Sequence, residues 1–143
     1  MNTIEKYFGK KELKPQKIEK RTVFLFLFQN KVYIEKHTNP ESLEGLYEYP
    51  SIEGHFTRNE IKYYLEEIGL YAPEIKRLES IKHIFSHKEC HLQCYVVPLL
   101  DTSVSLKSSF NGGKWVTLHE LVTYYSLPSA FHRYTDCLND YLI

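Results

Sequence analysis

Residues 21–28 read RTVFLFLF and decide the fold class. Their β-branched, aliphatic and aromatic side chains follow one another without alternation, which is typical of a strand buried on both faces. The residues QNK then turn the chain, and the run VYIEK, which begins at Val32, predicts the second strand of a β-hairpin. We therefore expect a sheet whose first strand lies in the core.

A helix is predicted after the loop HTNPESLEG and the short segment GLYEYP. Thr57 and Glu60 have the spacing of a capping box, in which each side chain binds the backbone N–H of the other residue. Gly69 suits the position just beyond the end of the helix. Between these signals, apolar residues recur at helical spacing: Ile61, Tyr64, Leu65 and Ile68.

The second half of the chain predicts three more strands and two more helices. EIKRLESIKHIF, ECHLQCYVVPLL and KWVTL read as strands, and the first two meet at a corner near residues 86–88. Thr117 and Glu120 form a second capping box, which begins a helix that continues to about Tyr125. LPSAFHRYTDCLNDYL predicts a terminal helix with one apolar stripe: Phe131, Tyr134, Leu138 and Tyr141. This order predicts an α+β fold, a mixed β-sheet with helices packed on it.

Length and composition indicate one globular domain preceded by a basic leader. The chain has 143 residues, 43% of them hydrophobic and 25% charged, which is ordinary for one domain. The formal net charge is zero, yet residues 1–21 hold seven basic and three acidic residues. Such a leader is typical of a linker or an arm near a polyanion, and a solvated tail is the alternative. We expect residues 1–20 to be a polar, basic connector and residues 21–143 to be the folded domain.

The three cysteines are too few, and odd in number, for a disulfide framework, so a reducing cytoplasm is expected. No apolar run approaches the roughly 20 residues that cross a bilayer, and no membrane partner is expected. Cys90 and Cys94 lie four apart on a predicted strand, about 13 Å apart, which is too far for one tetrahedral zinc ion. We predict no metal site, and we expect these cysteines to be core residues.

The segment KYYLEEIGL, residues 62–70, resembles the second half of the Nudix box, REUxEExGU, in which U is aliphatic. Nudix hydrolases use carboxylates on this helix to hold Mg²⁺ against a diphosphate. Glu66 and Glu67 match two of them, but Tyr63 stands where the box has another Glu. Farther upstream, Gly54 stands at a second Glu position and Glu48 at the Gly position. The resemblance implies a Nudix-like fold without the hydrolase chemistry. The alternative to a metal-binding role for Glu66 and Glu67 is a solvated pair of glutamates on the face of a helix.

Three segments together resemble the C-terminal domain of adenine DNA glycosylases of the MutY type. They are LEGLYEYP, the FSH within KHIFSHK, and LPSAFHRY, in the order in which that family carries a GLWEFP-like segment, an FSH loop and an LPS-xH segment. The resemblance extends from about Arg21 to Leu138 and implies a Nudix-like fold. The basic leader with Pro15 resembles the interdomain connector of that family, so the resemblance implies that residues 1–20 are an interdomain connector. Tyr47 and Tyr49 replace the family's Trp and Phe, and we expect both rings to have a packing role.

In that family the domain recognises 8-oxoguanine paired with adenine, and the resemblance places the lesion contact on Phe85, Ser86 and His87. A hydroxyl donates and accepts, so Ser86 suits the N7–H donor and O8 acceptor of the oxidised base. Phe85 suits stacking on a base, and His87 suits a hydrogen bond to a base edge or a phosphate. The alternative is an inward-packed Phe85, a turn-forming Ser86 and a solvated His87.

Several basic and polar residues near these segments are candidate phosphate contacts, with solvation, capping or packing as the alternative for each. They are Lys82, Lys88, Ser129, His132 and Arg133. Outside residues 1–21, the chain has 11 basic and 15 acidic residues. This excess of negative charge predicts weak DNA affinity for the domain alone.

The resemblance also implies an N-terminal catalytic domain, which carries the catalytic Asp and usually a [4Fe–4S] cluster. Neither fits in these 143 residues, so no catalytic residue and no cofactor is assigned to this chain. The implied partners are that catalytic domain and double-stranded DNA containing 8-oxoguanine·A. Two alternatives are open: a divergent Nudix hydrolase acting on oxidised nucleotides, and a protein-interaction domain on the same fold.

Overall fold

The computed structural model describes residues 17–36, 46–84, 88–100 and 113–143. Within these ranges the strands are β1 (Lys17–Phe28), β2 (Lys31–Lys36), β3 (Tyr47–Glu48), β4 (Ser51–Glu53), β5 (Lys76–Arg77), β6 (Ile81–Ile84), β7 (Lys88–Pro98) and β8 (Lys114–Val116). The α-helices are α1 (Arg58–Glu67), α2 (Leu118–Tyr124) and α3 (His132–Cys137). Two 3₁₀ turns, Ser129–Phe131 and Leu138–Asp140, flank α3. None of the described helices is long and apolar enough to cross a membrane.

The sheet is mixed, as the order of elements predicted. β1 runs parallel to β7 over nearly its whole length, from Lys17 beside Lys88 to Leu27 beside Pro98. On its other edge, β1 pairs antiparallel with β4 near its middle and with β2 at its end. β5 and β6 both pair antiparallel with β7. The α+β prediction is confirmed.

The central strand is buried on both faces, also as predicted. Val23, Leu25 and Leu27 point to one side, where α2 and α3 cover the sheet. Phe24 and Phe26 point to the other side, where α1 covers it. Each large apolar side chain that is fully buried contributes roughly 1.5–3 kcal/mol relative to exposure, so this strand stabilises both halves of the core.

Both predicted capping boxes are present. Thr57 Oγ1 accepts from the Glu60 amide at 3.2 Å, and the Thr57 amide donates to Glu60 Oε1 at 2.8 Å. The corresponding distances for Thr117 and Glu120 are 3.1 and 2.8 Å. Gly69 follows α1 with φ +88°, a left-handed conformation that favours glycine. These contacts fix where α1 and α2 begin.

The hairpin between β1 and β2 has a two-residue turn. Phe28 pairs with Lys31, so only Gln29 and Asn30 lie between the strands. Their φ values are 50° and 63°, and two consecutive positive values match the twist of the flanking strands.

Several boundaries differ from those predicted. β1 begins at Lys17, so residues 17–20 of the predicted connector belong to the strand, because they pair with residues 88–91 of β7. The run EIKRLESIKHIF forms two short strands, β5 and β6. The break lies near Glu79, whose carbonyl oxygen accepts from the Tyr134 hydroxyl. The strand β4 was not predicted.

The terminal helix is also interrupted, since α3 spans six residues between its two 3₁₀ turns. The predicted stripe is nevertheless correct. Tyr134 and Leu138 are fully buried, and Phe131 and Tyr141 pack against the same core.

Candidate functional site

The hairpin of β6 and β7 carries the predicted lesion contact. Ile84 pairs with Glu89, so residues 85–87 connect the two strands beyond the last described pair. Phe85, Ser86 and His87 themselves lie outside the described residues. Their contact with a damaged base stays a prediction, and the described geometry is that of the hairpin beneath them.

Two of the candidate phosphate contacts, Lys82 and Lys88, lie on opposite faces of this hairpin. Lys82 pairs across the strands with His91, whereas Lys88 precedes Glu89 and therefore points the other way. Lys88 Nζ lies 2.8 Å from Glu19 Oε1. Because of this hydrogen bond, the pKa of Glu19 is lowered and the pKa of Lys88 is raised. Lys88 is thus engaged by a carboxylate of β1.

Glu89 lies in the last described pair of the hairpin, opposite Ile84, and contacts two basic side chains. Its Oε2 atom lies 2.5 Å from His91 Nε2 and 3.9 Å from Lys82 Nζ. The hydrogen bond from His91 is the main cause that lowers the pKa of Glu89, with a smaller effect from Lys82. Glu89 therefore remains ionised among groups that are also suited to a phosphate.

The cysteines behave as core residues. All three are free thiols, and Cys90 and Cys94 are buried. Burial is the main cause that raises the pKa of Cys90, Cys94 and Cys137. A buried thiol that keeps its proton is a poor nucleophile, so a cysteine-based active site finds no support among these residues.

An open groove runs along the start of β1, at the edge with which no strand in the described part of the chain pairs before β4. The groove has a volume of about 630 Å³ and is lined by residues 17–20, Glu53, Gly54 and Lys88. The Gly54 amide donates to the Lys20 carbonyl at 2.7 Å and closes the groove at that end. Lys17 and Lys20 are exposed, and neither has an ion-pair partner in the described part of the chain.

A buried polar network holds the turn between β4 and α1 against the sheet. Gln93 Oε1 accepts from the Phe56 amide at 2.9 Å and lies 3.1 Å from the Thr22 hydroxyl. The Tyr95 hydroxyl donates to the Phe56 carbonyl at 2.6 Å. The network fixes the start of α1 relative to β1 and β7.

The segment LPSAFHRY places its three candidate residues on the surface. Ser129 and His132 are exposed. No side chain caps the 3₁₀ turn or the short helix that begins there. Arg133 is exposed and forms an ion pair with Glu79, which lies just before β6. Of the five candidate phosphate contacts, Lys82 and Lys88 belong to the β6–β7 hairpin, and Arg133 is joined by its ion pair to the residues that precede β6.

The predicted packing role of Tyr47 and Tyr49 is confirmed. Tyr49 is fully buried, and its ring centroid lies 5.6 Å from that of Phe131. The Tyr47 ring contacts Tyr125 edge to face, with centroids 4.8 Å apart. GLYEYP and the C-terminal segment therefore form one packing unit.

The carboxylates of α1 do not form a metal site in the described part of the chain. Glu66 and Glu67 are exposed, and Tyr63, at a Glu position of the Nudix box, is 69% exposed. No group of three or more His, Cys, Asp or Glu side chains within the described ranges is arranged to hold a metal ion. Mg²⁺ is bound by several oxygen ligands, and the two matched positions of the box, Glu66 and Glu67, supply only part of such a set.

Four charged or titratable residues near the hairpin could not be singled out from the sequence: Glu19, Lys20, Glu89 and His91. Each belongs to a strand extension whose partners are known only once β1 is aligned with β7. The available signal was the charged, alternating sequence on either side of the apolar runs. It indicates exposed strand ends, but it does not say which ends meet.

Comparison with known proteins agrees with this architecture. The family model described as NUDIX domain matches residues 22–136. No curated protein sequence gives a significant match.

Solved structures share the fold at low sequence identity. The ORF135 protein of E. coli superposes with a TM-score of 0.62 at 16% identity, covering 87% of this chain and 91% of that one. The C-terminal domain of mouse MUTYH, solved in complex with human PCNA, gives a TM-score of 0.59 at 16% identity, covering 85% of this chain and 87% of that one. The NUDIX domain of NrtR from Shewanella oneidensis, solved with ADP ribose, gives a TM-score of 0.59 at 16% identity, and 98% of both chains is covered.

One of these neighbours was solved with a protein partner and another with ADP ribose. Because all three share only 16% sequence identity with this chain, they show its fold alone. The family match covers most of the chain, including α1, the β6–β7 hairpin and nearly all of the apolar part of β1. The predicted Nudix-like arrangement of a mixed sheet with helices is confirmed, and the chain belongs to the NUDIX domain family.

Proposed function

We propose that this chain is the C-terminal recognition domain of a MutY-type adenine DNA glycosylase, where it reads 8-oxoguanine paired with adenine. The proposal assigns lesion contact to Phe85, Ser86 and His87. It assigns bond cleavage to an N-terminal catalytic domain, on adenine flipped from the base stack. That domain, its [4Fe–4S] cluster and a cytoplasmic compartment belong to the same proposal.

The observation that carries the proposal is that the segments flanking residues 85–87 form one connected support. Tyr49, in GLYEYP, packs against Phe131 and hydrogen bonds to Thr135 in the C-terminal segment. The first and third of the segments that resemble the glycosylase family are therefore in direct contact.

The C-terminal segment is in turn joined to the hairpin. The Tyr134 hydroxyl donates to the Glu79 carbonyl before β6 at 3.1 Å and lies 3.4 Å from the Leu92 carbonyl of β7. One buried phenol thus holds β7 and the residues that lead into β6. The two flanking segments therefore pack together and hold the hairpin whose strands residues 85–87 connect.

The chemistry at the corner supports the same assignment. Oxidation of guanine replaces the N7 acceptor by an N–H donor and adds an oxygen acceptor at C8. A serine hydroxyl is matched to that changed edge because it donates and accepts. Stacking of an aromatic ring such as Phe85 on a base contributes about 1–3 kcal/mol. Discrimination against plain guanine then arises from the groups that only the oxidised base presents.

The enzyme-level test uses an adenine glycosylase that carries this chain as its C-terminal domain. Single-turnover adenine release is measured on duplexes that differ only in 8-oxoguanine·A or G·A. We expect the double variant Phe85→Ala, Ser86→Ala to lose rate mainly on the 8-oxoguanine duplex. Equal losses on both duplexes indicate a structural loop and contradict the proposal. Ser80→Ala, at an exposed position before β6, is the matched control.

The alternative is a divergent Nudix hydrolase acting on an oxidised nucleotide such as 8-oxo-dGTP. Glu66 and Glu67 favour it, because they lie exposed on α1 at two Glu positions of the Nudix box. Its test is Mg²⁺-dependent diphosphate release by the purified chain. Activity that is abolished by Glu66→Gln or Glu67→Gln establishes this function, and no release above that of the two variants excludes it.

A further inference from the structure

One face of the sheet is exposed where β1, β7 and β6 extend past the helices. The register places Lys20 beside His91 and His91 beside Lys82, which makes a basic row across three strands. The adjoining row, towards the corner, holds Ile18, Glu89 and Ile84. Cross-strand partners point to the same side of a sheet. We call these six residues the sheet-end face.

The sheet-end face is open to solvent and has a sharp inner boundary. Ile18 is 55% and Ile84 60% exposed, which is unusual for apolar residues in paired strands. The row on the inner side, Thr22 and Gln93, is buried beneath the turn between β4 and α1. On the outer side, Ile84 is the last described residue of β6. The proposed lesion contact begins at the next residue of the sequence.

The charges of the face are complementary to a polyanion. Neighbouring strands lie about 4.8 Å apart, so the basic row is about 10 Å long, comparable with the axial rise of about three phosphates in one DNA strand. Lys20 has no ion-pair partner in the described part of the chain, and the Lys82 side chain is 61% exposed. The strand that carries Lys20 also continues from the basic leader, residues 1–21, which holds seven basic and three acidic side chains.

Glu89 is the one acidic residue of the six. It lies 2.5 Å from His91 and 3.9 Å from Lys82, and so occupies two of the three basic groups. A phosphate that approaches the row must compete with this carboxylate. A carboxylate in this place would weaken the binding of any duplex, whatever its base sequence.

We propose that the sheet-end face binds the sugar-phosphate backbone of duplex DNA beside the lesion, with Glu89 limiting the affinity. Lys20 and Lys82 contact phosphates, and Ile18 and Ile84 pack against deoxyribose. This inference rests on the proposed function, because duplex DNA is the partner of that function. It adds a binding surface that is independent of the sequence and of the lesion, and that tunes affinity separately from discrimination.

The test measures binding of the whole chain to fluorescein-labelled duplexes by anisotropy at several salt concentrations. The duplexes carry a single 8-oxoguanine·A or G·A pair. The loss-of-charge variant is Lys20→Gln with Lys82→Gln. Its matched control is Lys36→Gln with Lys62→Gln, an equal charge change at exposed lysines outside the face. Glu89→Gln is compared with Glu74→Gln, an exposed carboxylate outside the face.

We expect the Lys20/Lys82 variant to weaken binding to both duplexes about equally, by about 5- to 20-fold. We also expect it to reduce the slope of log affinity against log salt by about two, since each phosphate contact contributes about one. Glu89→Gln should tighten binding to both duplexes by about 3- to 10-fold, as expected for a charge in direct contact with the site. Both controls should stay within about twofold of the parent chain.

Equal effects in the face variants and their controls overturn the inference, because they reflect net charge alone. An unchanged affinity in Glu89→Gln overturns the role of the carboxylate. If the parent chain binds both duplexes equally, lesion recognition fails, whereas the sheet-end face is still judged by the losses and gains in absolute affinity. Absence of measurable duplex binding at low salt contradicts the inference itself.

Discussion

The hydroxyl oxygen of Tyr49 lies 2.5 Å from the hydroxyl oxygen of Thr135, in the core between the sheet and α3. Thr135 donates its own proton to the Phe131 carbonyl at 3.2 Å, so Tyr49 is the donor in the shared contact. A phenol that is fully buried needs such an acceptor, because an unsatisfied donor in the core is costly. This contact links GLYEYP to the segment that supports the β6–β7 hairpin.

Tyr49→Phe should lower the free energy of unfolding by about 1–2 kcal/mol, since one buried hydrogen bond is lost while the ring is kept. Urea unfolding followed by far-UV circular dichroism measures the change. Tyr124→Phe, at a ring that is 72% exposed, is the control and should change stability by less than about 0.5 kcal/mol. Equal effects in the two variants would show that the Tyr49 hydroxyl does not stabilise the core.

Stability should fall as the pH rises above about 10, the ordinary pKa of tyrosine. Burial raises the pKa of both Tyr49 and Tyr134 far above that range. In that pH window the unfolded phenols ionise while the folded ones keep their protons, so ionisation favours unfolding. Each buried tyrosine contributes a slope of about 1.4 kcal/mol per pH unit, and its stabilisation is complete below about pH 10. Urea unfolding of the parent chain and Tyr49→Phe between about pH 9 and 11 tests this; identical slopes would contradict it.

The capping boxes offer a test of local structure. Thr57→Ala and Thr117→Ala should each cost about 1 kcal/mol, because an N-cap acceptor for the first turn is lost. Thr123→Ala is the matched control, since Thr123 is exposed in the last turn of α2 and alanine has the higher helix propensity. Thermal unfolding should therefore show a lower Tm for the two cap variants and an equal or higher Tm for the control. A cap variant as stable as the control is the contrary result.

Gln93 should control the order of the turn before α1. Gln93→Leu removes the acceptor of the Phe56 amide and a partner of Thr22, and leaving buried donors unsatisfied costs about 1–3 kcal/mol. Amide hydrogen exchange followed by NMR should show faster exchange at Phe56, while amides in the middle of α1 change less. Uniformly faster exchange throughout the chain would indicate global destabilisation instead of a local effect.

Local signals were sufficient to predict much of the fold. The unbroken apolar run after Arg21 identified the central strand because burial on both faces leaves no polar period. The two Thr–Glu pairs identified the helix starts because a capping box depends on residues only three apart. The features that were missed depend on distant partners. Lys17 joins β1 only through Lys88, which is far away in the sequence.

The candidate site was predicted in part for the same reason. The hairpin below residues 85–87 follows from two adjacent strand patterns. Lys88 pairs with Glu19, and Lys82 shares Glu89 with His91. These contacts follow from the pairing of β7 with β1 and β6. Neither pattern nor motif indicates the parallel pairing with β1. Residues 17–20, three of which are charged, were therefore interpreted as part of a connector, although they belong to the sheet.

The decisive measurement is the affinity of the purified chain for two duplexes that differ at one base, 8-oxoguanine·A and G·A. Equilibrium anisotropy at one fixed salt concentration gives the ratio of the two Kd values. We predict tighter binding of the 8-oxoguanine duplex by about tenfold, or roughly 1.4 kcal/mol, as expected for one matched base edge. Phe85→Ala with Ser86→Ala should bring the ratio to about one, because the hydroxyl matched to the oxidised edge is lost. Loss of the stacking ring should weaken binding to both duplexes. Equal affinities of the parent chain for both duplexes would contradict lesion recognition by this domain.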